Sequence, residues 1–150
     1  MSLKAQIESD IKNAMLAKNK LELLALRAIK SAILIAETEK GAQGSISHES
    51  EVKLLMKATK QRKDSAEVYH TQNRQDLADK ELAELDVINR YLPKQMSEDK
   101  IREELKLIIE KTGANSPADM GKVMGIATKQ FAGKADGKTI SILAKSLLSN

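Results

Sequence analysis

Cysteine and tryptophan are both absent from this 150-residue chain. Without Cys there is no disulfide framework, no thiolate nucleophile and no Cys-ligated zinc or iron–sulfur centre. Aromatic side chains make up 2% of the residues, namely Tyr69, Tyr91 and Phe131. Strands favour aromatic and β-branched residues, so this poverty points away from a sheet protein. It also disfavours binding of single-stranded nucleic acid, which relies on aromatic stacking platforms. Two prolines and seven glycines leave room for long helices. No apolar run approaches the ~20 residues of a membrane span. The segment Met1 to Asp10 is amphipathic and of mixed charge, without the apolar stretch of a secretory signal. These absences predict a cytoplasmic protein with no membrane association.

What is present is aliphatic and charged: 41% hydrophobic and 31% charged residues, enough to fold and too apolar for disorder. Apolar residues recur at the three-to-four spacing of helix faces along most of the chain. A first helix is predicted from Ser2 to Lys18, with Leu3, Ile7, Ile11, Ala14 and Met15 inward. Asn19 breaks it and caps a second helix to Lys40, whose inward set includes Leu21, Leu24, Ala25, Ala28, Ile29, Ala32, Ile33 and Ala36. Leu23, Leu26, Leu34 and Ile35 make that helix apolar on two sides, the pattern of a central bundle helix. After the loop Gly41 to Ser47, a third helix runs from His48 to His70 and a fourth from Arg74 to Tyr91. Tyr91-Leu92-Pro93 ends the fourth, because the residue before proline avoids the α region. Ser97 caps a fifth helix to Lys111, with Gly113 as its stop. Ser116-Pro117-Ala118-Asp119 reads as the start of a sixth, to Phe131. The loop Gly133 to Lys138 precedes a seventh, ending near Ser149. The predicted fold is all-α: an N-terminal four-helix bundle over 1–92, then a small three-helix domain over 97–150.

No catalytic residues, metal ligands or cofactor are expected. His48 and His70 sit at helix ends with no nucleophile at a telling spacing; His70 suits the helix dipole. Glu81, Glu84 and Asp86 read as a solvated face rather than an acid/base pair. No P-loop or dinucleotide-binding glycine pattern is present.

Basic residues offer more. On the third helix, Lys53, Lys57 and Lys60 share an outer face. With Lys60, the residues Arg62 and Lys63 form a secondary basic patch. Arg62 and Lys63 flank the apolar stripe, where they either pair with Glu37 or Glu39 or bind phosphate. From Gly113 onward there are five lysines against two acids. Lys122 and Lys129 lie opposite the apolar stripe of the sixth helix, with Gly121 and Gly125 beside them. Glycine inside a helix costs about 1 kcal/mol relative to Ala, so something is expected to come close to that backbone. Another helix packing tightly and a phosphate backbone tracked by the lysines are both admissible. Lys134 and Lys138 extend the patch through the following loop. Asp136 is a candidate N-cap, and the N–H groups it leaves free suit an anion. Met56, Met120 and Met124 read as core.

The strings DMGKVMG, GKADGK and ILAKSLL in the last third are similar to the GatB/YqeY family, which includes the tail domain of the B subunit of tRNA-dependent amidotransferases. The front half resembles its smaller, YqeY branch through Leu26-Arg27-Ala28-Ile29-Lys30-Ser31-Ala32-Ile33, Lys60-Gln61-Arg62-Lys63-Asp64-Ser65, Asp76-Leu77-Ala78 and Tyr91-Leu92-Pro93, in that order. The resemblance implies an N-terminal helical domain followed by a three-helix tail domain. It also implies a non-catalytic accessory protein that binds tRNA or other folded RNA, or a tRNA-handling enzyme. The amidotransferase's catalytic domains have no counterpart here.

The expected RNA contacts are Lys122, Lys129, Lys134 and Lys138, with Gly121 and Gly125 allowing close approach. Two alternatives stand beside this reading. One is a protein–protein adaptor that receives a partner helix at Gly121 and Gly125. The other is a component of a carbon–nitrogen ligase with glutamine as amide donor. A monomer is expected.

Overall fold

The structure is a computed structural model and describes residues 2–39, 41 and 43–149. Met1, Lys40, Ala42 and Asn150, including the predicted helix end at Lys40, lie outside the described residues. Helix α1 spans Leu3–Leu16, α2 Lys20–Thr38, α3 His48–Thr71, α4 Gln75–Asn89, α5 Glu98–Thr112, α6 Met120–Gln130 and α7 Gly137–Ser149. A 3-10 turn, Pro117–Asp119, leads into α6. Among the described residues there is no strand. Nor is any helix among the described residues long and apolar enough to cross a membrane.

Local chemistry sets most helix starts. The Ser2 hydroxyl accepts from the Ala5 amide at 3.2 Å, and the Asn19 carbonyl oxygen from Glu22 at 3.1 Å. The Ser47 and Ser97 hydroxyls take the amides of Ser50 and Lys100 at 3.1 and 3.2 Å. Each bond satisfies one donor that the first helical turn leaves orphaned. Gly113 ends α5 in the left-handed region, at φ 71°, as a stop glycine should. The start of α6 differs from expectation. The Ser116 side chain makes no cap bond. Instead Asp119 reaches back to accept the Asn115 amide at 3.1 Å, which fixes the turn from its far side.

The chain divides into two compact units, Met1–Pro93 and Lys94–Asn150. In unit 1, α1 packs along α2, α3 along α4, and α2 against α4. Its core holds Ile7, Leu26, Ile29, Ile33, Leu55 and Ile88. The Tyr91 hydroxyl donates to Asp10, tying the end of the bundle to α1. Burial and the Asp10 carboxylate both push the Tyr91 phenol upward from its ordinary value. In unit 2, α5, α6 and α7 pack mutually around Leu105, Val123, Phe131 and Ile140.

Helix α2 is covered less completely than its composition implies. Leu26, read as second-side, is fully buried, whereas Leu24, Ala28, Leu34 and Ile35 are exposed. Only one of its two apolar sides is packed by the bundle.

Glu84 is a second correction. The sequence puts it on a solvated face; the structure buries it, at 7% exposure, where α4 packs on α3. Burial raises its carboxyl above the usual glutamate range, and the Arg62 charge opposes that only in part. A raised folded value means that the folded protein holds the Glu84 proton more tightly than the unfolded chain does. Stability from this group is therefore complete at acidic pH and declines as pH climbs past the ordinary glutamate value. Glu84→Gln is expected to stabilise the protein at about pH 8 by roughly 1 kcal/mol, the scale of one ill-matched buried polar group, read as a higher melting temperature. The gain should vanish near about pH 4, where glutamate is largely protonated in both states. Thermal melts across that range measure it, and a variant no more stable than the parent at the alkaline end contradicts it.

Candidate functional site

The exposed face of α6 is built by the same periodicity that buries its other face. Val123, Ala127 and Phe131 at the helix end are buried, at 0%, 0% and 1% exposure, and fix the helix orientation. Lys122, Gly125 and Lys129 then face solvent, with Gly121 exposed in the first turn. Lys122 and Lys129 are two turns apart, about 10 Å along the axis.

No described residue approaches the two glycines. Beyond the adjoining residues and the backbone of its own helix turn, a Cβ built on Gly121 or Gly125 meets no atom of a described residue within 4 Å. Of the two readings left open by the sequence, tight packing of another helix of this chain is thereby removed. The backbone there is bare.

The loop after α6 is held by backbone bonds. Lys134 and Ala135 donate their amides to the Phe131 carbonyl at 2.9 and 3.1 Å. Gly133, at φ 77°, lets the chain reverse there. The approach to α5 clamps this loop from the side. The Met96 amide donates to the Lys134 carbonyl at 2.8 Å, and Gln95 Nε2 to the Gly133 carbonyl at 2.8 Å. Lys134 therefore projects from a fixed backbone, and Lys138 from the first turn of α7; both are exposed.

Charge is left uncompensated around these residues. None of Lys122, Lys129, Lys134 and Lys138 makes an ion pair with a described residue. The two acids of this stretch serve helix starts. Asp119 accepts from Asn115, and Asp136 Oδ1 accepts the Thr139 amide at 2.6 Å. The Asp136 cap occupies the α7 N-terminus, so the anion expected at its free N–H groups meets a carboxylate already in place.

The secondary patch does not form one surface. Lys60 is exposed beside Lys53 and Lys57, and Lys63 is exposed with a partner of its own. Arg62 is half-buried; its Nη1 donates to the Ala58 carbonyl at 3.1 Å, and its Nε is buried without a partner. The expected pairing with Glu37 or Glu39 is not seen for Arg62. Glu37 is taken by Lys4 at 3.0 Å, and the carboxylate that feels the Arg62 charge is Glu84. No sequence signal distinguished Glu84 from Glu81, since each follows helical spacing on a charged helix.

His70 is exposed, with Nδ1 2.8 Å from Gln75 Oε1, and His48 is exposed beside Glu51. Among the described residues no cluster of His, Asp and Glu could hold a metal ion.

These features describe a two-unit helical protein whose smaller unit presents a basic, glycine-bearing helix face. The chain belongs to the YqeY family: the family model described as Yqey-like protein matches residues 4–148. It is similar to proteins named "Altered inheritance of mitochondria protein 41, mitochondrial". The one from Clavispora lusitaniae is 35% identical over 87% of this chain and 74% of its own length. The one from Pyrenophora tritici-repentis is 33% identical over 87% and 71%. The Saccharomyces cerevisiae protein of that name is 34% identical over 57% and 46%.

These names overturn the expected cytoplasmic localisation. That expectation rested on the lack of an apolar stretch near Met1, a feature that bears on secretory export alone. Segments that direct import into mitochondria are amphipathic and Arg-rich and carry no such stretch.

Proposed function

We propose that this protein is a non-catalytic RNA-binding accessory factor that takes tRNA or another folded RNA on unit 2, its counterpart of the family's tail domain. One observation carries the reading: four exposed lysines without carboxylate partners lie along α6 and the loop and helix start that follow it, and the two glycines of α6 are covered by no described residue. Lys122, Lys129, Lys134 and Lys138 contact phosphates. Gly121 and Gly125 let the RNA backbone reach the helix. Such contacts recognise shape and backbone rather than sequence. Phe131 is buried, and Tyr69 and Tyr91 are both half-buried, Tyr91 with its hydroxyl donated to Asp10, so none presents an open ring face and a folded RNA fits better than a single strand.

Bulk tRNA titrated against the full chain at low salt is the test. Binding should weaken strongly in Lys122→Glu/Lys129→Glu and persist in Lys12→Glu/Lys18→Glu, a pair on unit 1. Equal loss in both pairs, or none in the first, sinks the assignment. A protein partner that survives nuclease digestion and depends on Gly125 would favour the adaptor reading instead.

Gly125→Ala separates stability from binding. The site is open and the residue lies inside α6, so alanine adds helix propensity without a clash. It should stabilise unit 2 by about 0.5–1 kcal/mol, a rise of roughly 5 °C for a unit this small. The same methyl stands where the RNA backbone approaches, so affinity should fall while the melting temperature rises. Unchanged affinity in a stabilised variant would remove Gly125 from the interface.

A further inference from the structure

Unit 1 carries an open groove of about 470 Å³ between α2 and α3. Its floor is short and apolar, from Ala32 on α2 to Leu54 and Ala58 on α3. Ile35 stands on one lip at 64% exposure; Lys53 and Lys57 stand on the other. The apolar strip continues beyond the groove along α2 through Ala28 and Leu24, both exposed. At about 100° per residue, Leu24, Ala28 and Ile35 fall within about 40° of one another. They span roughly 16 Å, three helical turns. Lys57 and Lys60 make no ion pair with a described residue, and Lys53 reaches only Glu49 of its own helix, at 3.0 Å. Glu39 is the sole acid among the described lining residues.

We propose that this groove receives an amphipathic helix of a partner protein, whose apolar stripe lies over the alanine floor and whose acidic flank faces Lys57 on the lip and Lys60, one turn further along α3 outside the groove's lining. Shape and charge select this occupant. A bilayer is met by a convex amphipathic face, whereas a cleft between two helices is filled by something about one helix wide. A second copy related by a two-fold axis running across the groove would set lysine lip against lysine lip, like charge against like. RNA gains little from an aliphatic floor that offers no aromatic platform. The alanines keep the floor low enough for the partner's larger side chains to enter, and the lysine lip fixes which face of the partner turns toward α3.

The probe is a lactam-bridged three-turn peptide with leucines along one face and glutamates along one flank, labelled for fluorescence anisotropy against the full chain. Its control carries lysines in place of the glutamates. The glutamate peptide should bind at least about tenfold more tightly than the lysine peptide. Ile35→Asp, at an exposed position that leaves folding intact, should abolish that binding. Lys57→Glu/Lys60→Glu should reverse the preference between the two peptides. Amide shifts confined to Ala32, Ile35, Leu54 and Ala58 would place the peptide in the groove. Equal affinity for both peptides, no binding of either, or binding that survives Ile35→Asp overturns the proposal. So do two further results. One is Ile35-dependent binding to phosphatidylglycerol vesicles in preference to the peptide. The other is an Ile35-dependent dimer in sedimentation.

Discussion

Phe131→Ala should unfold unit 2 or bring it to the edge of unfolding, with hydrogen-exchange protection lost across α5, α6 and α7 while α1 to α4 keep theirs. Phe131 is the one phenylalanine of the chain and is 1% exposed at the end of α6. Its ring belongs to the core shared with Leu105, Val123, Ile140 and Leu143. Its carbonyl accepts the amides that shape the loop bearing Lys134. Truncating a buried phenylalanine to alanine costs about 3–5 kcal/mol. A domain of about 60 residues has roughly 3–9 kcal/mol in total. The loss therefore removes most of what holds unit 2 together. Phe131→Leu keeps most of the volume and should cost less than about 1.5 kcal/mol. RNA binding should follow the fold, lost in the alanine variant and kept in the leucine one. An alanine variant that melts within a few degrees of the parent would show that the ring is not the keystone of this small core.

The sequence was most legible where structure is decided by near neighbours. Ser2, Asn19, Ser47 and Ser97 cap helices because a short polar side chain can reach an amide three residues on, a matter of local geometry. Gly113 stops α5 for an equally local reason. The inward stripe of α6 and the outward placement of Lys122 and Lys129 follow from period alone once Val123 and Ala127 are taken as core. Legibility failed where a neighbouring helix decides. On α2, periodicity offered two apolar sides, and only packing against α1 and α4 selected Leu26 over Leu24. On α4, Glu84 was indistinguishable from its charged neighbours until α3 covered it. Arg62 turned out to feel a charge on α4 that no spacing rule connects to it. The candidate site was therefore legible residue by residue. The Asp136 cap was legible for the same local reason as the serine caps; what the sequence could not supply was that Gly121 and Gly125 stay uncovered and that Asp119 reaches back to the Asn115 amide. Those two findings turn a lysine-rich tail into a bare and uncompensated surface.

Such a surface makes a steep salt dependence the second large expected effect. Each phosphate neutralised by a lysine releases condensed counterions, and the logarithm of affinity then falls with the logarithm of salt by about 0.9 per contact on a duplex. Four lysine contacts give a slope of about −3 to −4. Between about 50 and 200 mM salt the affinity for tRNA should thus fall on the order of 100-fold. The lysines have no internal carboxylate partner to break on binding, so no compensating salt-strengthened step flattens the slope. Lys122→Glu/Lys129→Glu removes two of the four contacts and should bring the slope to about −2, besides weakening binding at every salt concentration. The slope identifies contacts in a way that affinity alone does not. A variant that lost affinity through partial unfolding of unit 2 would lower the fraction of competent protein and leave the slope near its original value. A slope unchanged by the double substitution, with unit 2 folded by hydrogen exchange, would place the RNA on some other surface. A slope halved as expected would locate two of the phosphates on the exposed face of α6.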